Sequence, residues 1–171
     1  MIKSEKRLKE LAEILKRGNS LFIAQAIKSL REEEPFEGSI GLLVEYYDNA
    51  SDISGLRIIE DFLNDIKYHS VRPEVVAEIL KPWKAATIAM LVASCWQSGL
   101  DYSEYMAEMA KIFLEGDYAS AVECMTVMED SVKNSSRGKK DEIIRIIEES
   151  PLSFTNEKIS LTQELKSMLE Q

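Results

Sequence analysis

Apolar residues recur three and four positions apart along this chain, with Lys, Arg, Glu and Asp between them. Leu8, Leu11, Ala12, Ile14 and Leu15 predict a helix over 4–17. Gly18-Asn19 ends it, and Asn19 or Ser20 can cap a second helix over 20–33, with Leu21, Ile23, Ala26, Ile27 and Leu30 inward. Helix three, 38–48, buries Ile40, Leu43, Val44 and Tyr47; helix four, 52–67, buries Ile53, Leu56, Ile59, Phe62, Leu63 and Ile66. Pro73 opens a fifth helix that ends before Pro82. Helix six, 83–97, is the most apolar and stops at Gly99. Asp101-Tyr102-Ser103-Glu104 has the form of a capping box and opens helix seven. Gly116-Asp117 separates it from helix eight, 117–134, with Tyr118, Ala121, Val122, Met125 and Met128 inward. Ile143, Ile144, Ile146 and Ile147 mark helix nine, 139–149; Ile159, Leu161, Leu165, Met168 and Leu169 mark a last helix over 155–170. No alternating run bounded by turn signals is present, so strands are not expected.

The spacing of these helices matters more than their number. The second helix of successive pairs starts near Asn19, Asp52, Trp83 and Asp117, which are almost evenly spaced. A period of about 33 residues holding two helices is the pattern of stacked helical hairpins. Each hairpin alone leaves an apolar face bare, and its neighbour covers it. The hairpins fall at 4–33, 38–67, 73–97, 101–134 and 139–170, read as one helical-repeat domain over 1–171.

Charge narrows the function classes. The net charge is −9, which opposes phosphate backbones and anionic lipid, so no nucleic acid and no membrane partner is expected. Positions 1–17 are cationic, with six Lys/Arg against three Glu, whereas positions 71–130 hold four Lys/Arg against ten Asp/Glu. The N-terminus is charged within a few residues, unlike a signal peptide. The apolar run Ala85–Cys95 is too short to span a bilayer, which takes about 20 residues of helix. Cys95 and Cys124 lie among apolar residues outside any Cys-x-x-Cys motif and read as core thiols in a reducing cytoplasm.

Catalytic patterns are few. His69 is the single histidine; Asp65 precedes it by one helical turn, but no nucleophile lies nearby in sequence. The carboxylate pairs Glu104/Glu108 and Asp61/Asp65 have the i,i+4 spacing of a solvated helix face. No catalytic, metal or cofactor residue is therefore assigned, and a non-enzymatic role is expected. Trp83, Trp96, Tyr102 and Tyr105 cluster in sequence, either as core filling or as an aromatic anchor patch, since Trp and Tyr dominate interface hot spots.

The hairpin period, the Gly116-Asp117 turn and the apolar 83–97 helix resemble HEAT-type α-solenoids. The segments Ala93–Tyr102 and Val122–Glu129 also resemble a group of small bacterial HEAT-like proteins. HEAT units carry a Pro in the first helix and a recurring Asp and Arg; here Asp recurs at 52 and 117, with no regular Arg. The fold expected is all-α, a right-handed solenoid of about five antiparallel hairpins. The resemblance implies a scaffold whose concave face, made by the second helices, binds a protein or peptide. Non-apolar positions on those helices supply the candidate contacts: Arg57, Asp61, Lys84, Thr87, Gln97, Ser120, Glu123 and Asp130. A homodimer through an end hairpin is a further expectation. The alternative class, a small helical enzyme or nucleic-acid-processing repeat protein, is disfavoured by the acidic middle and the single His.

Overall fold

The structure is a computed structural model that describes residues 3–154 and 157–171, the Phe154 side chain aside. Among these residues it is all-helical, with ten α-helices, three short 3-10 turns and no strand. The helices are α1 (Glu5–Arg17), α2 (Ser20–Glu32), α3 (Ser39–Asn49), α4 (Ile53–Asn64), α5 (Arg72–Ile79), α6 (Ala85–Gln97), α7 (Met106–Glu115), α8 (Tyr118–Val132), α9 (Arg137–Glu149) and α10 (Ile159–Glu170). Every expected helix is present, with its ends shifted slightly. The largest shift is at α7, where Asp101 Oδ1 accepts from Ser103 N (2.9 Å), a 3-10 turn follows at Ser103–Tyr105, and the α-helix begins at Met106. Positions 155 and 156, the expected start of the last helix, lie outside the described residues, as do Met1 and Ile2.

Helix boundaries follow local chemistry. Asn19 Oδ1 accepts from Leu21 N and Phe22 N, Asp52 from Ser54 N and Gly55 N, and Asp117 from Ser120 N. Each satisfies amide groups that have no partner inside their helix. Gly18 closes α1 at φ 63°, and Gly99 follows α6 at φ 69°, both in the left-handed region open to glycine.

One domain is expected from the sequence; the contacts group the chain into two compact units, Met1–Ser98 and Gly99–Gln171. In the first unit α1 packs on α2 and α3, α3 on α4 and α5, α5 on α6, while α2 packs on α4 and α4 on α6. First helices thus lie against first helices and second against second. The second unit repeats this arrangement: α7 packs on α8 and α9, and α10 on α8 and α9. Ile23, Ile40, Leu43, Ile59 and Phe62 fill the first core, and Met106, Met109, Phe113 and Met128 the second, all fully buried. Each such side chain contributes about 1.5–3 kcal/mol by leaving water. Cys95 and Cys124 are buried in these cores and form no disulfide.

Four residues expected inside are outside. Leu21 is 73% and Ile53 66% exposed, and Tyr118 and Val122 are exposed as well. Leu21, Ile53 and Tyr118 sit in the first turns of α2, α4 and α8. Helical side chains lean toward the N-terminus, so at a first turn they leave the packed body although their spacing fits the apolar stripe.

Candidate functional site

The eight positions expected on the second helices divide by what surrounds them. Arg57, Asp61 and Gln97 in the first unit, and Asp130 in the second, are exposed, and Glu123 is half-buried. Thr87 and Ser120 are not surface residues: they are 2% and 1% exposed. Thr87 Oγ1 donates to Asp48 Oδ1 at 2.8 Å, and Ser120 packs under the Gly116 turn. Lys84 is exposed but occupied, since its backbone N donates to Asp48 Oδ1 (2.9 Å) and its ammonium reaches the Asp48 carbonyl. Asp48, near the end of α3, thereby caps α6, whose own N-cap residue Lys84 offers no side-chain bond. Burial pushes the Asp48 carboxyl up, but the bonds from Lys84 N and Thr87 and the Lys84 charge outweigh it and hold the carboxyl below the usual range.

The carboxylate pairs are also accounted for in part. Asp65 accepts from Arg31 Nη1 at 2.7 Å and lies 3.6 Å from Lys67 Nζ; the Arg31 bond foremost lowers its pKa. His69 is exposed at a 3-10 turn. The four aromatics do not share one environment: Tyr102 is buried with its ring 6.1 Å from Tyr105, Trp96 is partly exposed, and Trp83 is half-buried.

Sequence reasoning missed a cleft of about 710 Å³ on the first helices of the first unit, lined by α1, α3, α5 and the loop after α5. Its floor is built from two glutamates one turn apart on α5. Glu74 Oε2 accepts from Gly38 N (3.1 Å) and Oε1 from Gly41 N (3.0 Å), so this carboxylate caps α3 from a neighbouring helix. Glu78 lies deeper, at 4% exposure. Its Oε1 accepts from Lys81 Nζ at 2.6 Å, whereas its buried Oε2 finds no hydrogen-bond partner among the described residues.

Gly41 explains how two carboxylates approach α3 so closely. A Cβ at this position would stand 2.9 Å from Glu78 Oε1 and 3.8 Å from Glu74 Oε1. A glycine inside a helix costs about 1 kcal/mol relative to alanine; here it leaves room for Glu78. The loop that follows α5 folds back over the site. Lys81 N donates to Glu78 O (3.0 Å) and Trp83 N to Lys81 O (2.8 Å), which brings the Trp83 indole to the cleft wall. Trp83 Nε1 is also buried without an acceptor among the described residues. Lys81 Nζ sits 5.8 Å from the centroid of the same ring. Leu8, Leu42 and Pro73 supply apolar wall, and Glu37 and Glu45 stand exposed at the rim. Two features of the sequence are compatible with it but do not by themselves locate it: a glycine interrupting a helical apolar pattern at 41, and the Glu74/Glu78 pair about one hairpin period further on.

Compared with protein-family models, with curated proteins and with solved structures, the chain matches none. No helix among the described residues is long and apolar enough to cross a membrane. The chain's own geometry therefore has to define its class.

Proposed function

We propose that this chain is a HEAT-like α-solenoid acting as a non-enzymatic scaffold that binds a protein partner on the face of its second helices. One observation carries the repeat reading. Several long-range hydrogen bonds span nearly the hairpin period: Arg31 to Asp65 spans 34 residues, Gly41 to Glu74 33, Asp48 to Lys84 36, and Lys67 to Ser98 31. In the second unit Lys139 to Glu104 spans 35 and Arg137 to Leu169 32. Chemistry repeated at one spacing is what stacked, near-equivalent hairpins produce.

The binding face follows from what the second helices expose. Leu21, Phe22 and Ile53 are large apolar side chains in the first turns of α2 and α4, which pack on each other. Arg57 and Asp61 are exposed further along α4, so the second helices present both large apolar and charged side chains, the composition of a protein interface. Two buried cysteines that form no disulfide fit a reducing, cytoplasmic setting.

Capture from the native cell tests this reading, with the wild-type chain compared against a Leu21→Asp/Ile53→Asp variant. The expected result is a partner held by the wild type and lost by the variant, with an unchanged helical circular dichroism spectrum. A partner retained equally by both chains would refute the assigned face.

A further inference from the structure

We propose that the cleft on α1, α3 and α5 is a second binding site, which takes a basic segment of a partner chain through one Lys or Arg side chain. It lies on the first helices and so stands apart from the second-helix face; it holds whether or not that reading does. Two buried polar atoms of opposite kind point to it. Glu78 has a side chain only 5% exposed, and its Oε2 has no donor among the described residues. Trp83 Nε1 is a donor with no acceptor among them. Buried polar groups are hydrogen-bonded in the great majority of folded proteins. Both residues line one cleft, although the two orphan atoms are themselves sealed from solvent; a ligand that enters the cleft and turns the Glu78 carboxyl and the Trp83 indole toward it would bring a donor to one and an acceptor to the other, and so explain the two together.

Charge selects the donor. Glu37, Glu45, Glu74 and Glu78 line the cleft against a single lysine, Lys81, already bonded to Glu78. A cation is the complementary occupant, and a guanidinium or ammonium gives the stronger, charge-assisted bond to a carboxylate. Shape selects the rest of the ligand. Leu8, Leu42 and Pro73 offer apolar wall suited to the methylene stem of Lys or Arg. Trp83 Nε1 then meets the natural acceptor beside such a stem, a backbone carbonyl of the same segment. A free diamine satisfies Glu78 but leaves the indole unbonded. Glu74 is the weaker candidate for the recognition step, because each of its oxygens already accepts one α3 amide.

The full chain carrying Trp96→Phe leaves Trp83 as its single tryptophan and a direct reporter. It is titrated with blocked pentapeptides holding one central Arg, Lys, norleucine or Glu, and with putrescine, following Trp83 fluorescence and its indole N–H resonance. The Arg and Lys peptides are expected to saturate and to shift that resonance, while the norleucine and Glu peptides and putrescine bind about tenfold more weakly or not at all. Glu78→Gln is expected to weaken the Arg peptide by about tenfold or more, the range of a lost hydrogen bond to a charged group. Trp83→Phe, followed by calorimetry, keeps an aromatic ring and removes the N–H; it is expected to weaken the peptide but not putrescine. If Glu78→Gln fails to fold, the Trp83→Phe comparison decides alone. Absence of saturation by both cationic peptides overturns the proposal, as does undiminished binding by a folded Glu78→Gln chain. Equal affinity for putrescine and the Arg peptide overturns the peptide assignment and leaves only a general cation trap.

Discussion

Replacing Glu78 by methionine is expected to stabilise the unliganded protein. Methionine matches glutamate in length and in helix propensity, so the α5 backbone has no reason to change. Two terms then compete. The substitution removes a buried acceptor with no partner among the described residues, whose desolvation costs about 1–3 kcal/mol. It also removes the bond to Lys81, but that lysine is half exposed and water takes it back, so the loss is about 0.2–1 kcal/mol. The orphan wins, for a net gain of about 1 kcal/mol. In a chain of this size that raises Tm by about 2–4 °C. Thermal melts followed by circular dichroism, with urea midpoints as a second measure, read the effect. Glu78→Gln serves as the control, because an amide still presents one unmatched polar group and should gain little. A clear fall in Tm for Glu78→Met with no change for Glu78→Gln would refute the reasoning. It would mean that the carboxyl is fully satisfied in the free protein and that the cleft stores no unmet bond.

Other substitutions test separate links. Gly41→Ala, normally favourable inside a helix by about 1 kcal/mol, should gain nothing in the wild type because its Cβ meets Glu78 Oε1; it should recover that gain in a Glu78→Ala background, as a double-mutant cycle by urea unfolding will read. Asp48→Ala removes the bonds to Lys84 N and Thr87 Oγ1 and should cost about 1–2 kcal/mol in the same assay, as the loss of a strong N-cap does. Lys158→Met strips the donor that Phe113 O and Leu114 O share at the end of α7 (3.0 and 2.9 Å); the expected loss is about 2 kcal/mol, tempered because burial already lowers the Lys158 pKa and disfavours its charged form. The carboxyls of Asp48, Asp65 and Asp117 are held below their ordinary values, so the unfolded chain binds more protons in acid. Their stabilisation is complete above the unfolded value of about 3.9 and is lost as the pH falls through the lower folded values. An Asp48→Asn/Asp117→Asn chain should accordingly show a shallower dependence of its urea midpoint on pH below about 4.

The parts of the fold legible in the sequence were those decided within a few residues. Asn19, Asp52 and Asp117 bond amides two or three positions ahead, and Gly18 and Gly99 turn the chain where they stand. The stripes of Ile and Leu placed the helices because period alone decides which face is buried. Period alone also erred at Leu21, Ile53 and Tyr118, because it does not register where a helix end protrudes beyond its neighbours. The candidate site was illegible for a related reason. Thr87 and Ser120 are polar, and polarity suggested surface, yet each finds its place one layer in: Thr87 bonds the distant Asp48, and Ser120 lies beneath a turn. The cleft needed the register of α3 against α5, which sets Gly41 beside Glu74 and Glu78. Nothing local encodes that register.

The long-range bonds in the first unit also argue for what Glu78 is doing. Asp48, Asp65 and Glu74 stand at comparable junctions between helices, and all three are occupied. Asp48 holds the start of α6, Asp65 holds Arg31, and Glu74 holds the start of α3. Each carries its charge next to amides or a cation, as helix ends and ion pairs favour. Glu78 is more deeply buried than the two aspartates, with a side chain 5% exposed against 62% for Asp65 and 10% for Asp48. Burial raises the cost of an unmet charge, so if carboxylates here served only to join helices, Glu78 would have the most complete set of bonds. It has one oxygen paired to a half-exposed lysine and one with no partner among the described residues. A structural role predicts the opposite order, whereas a binding role predicts this one. The residue that must accept a bond from outside the chain is the one the chain leaves unfinished.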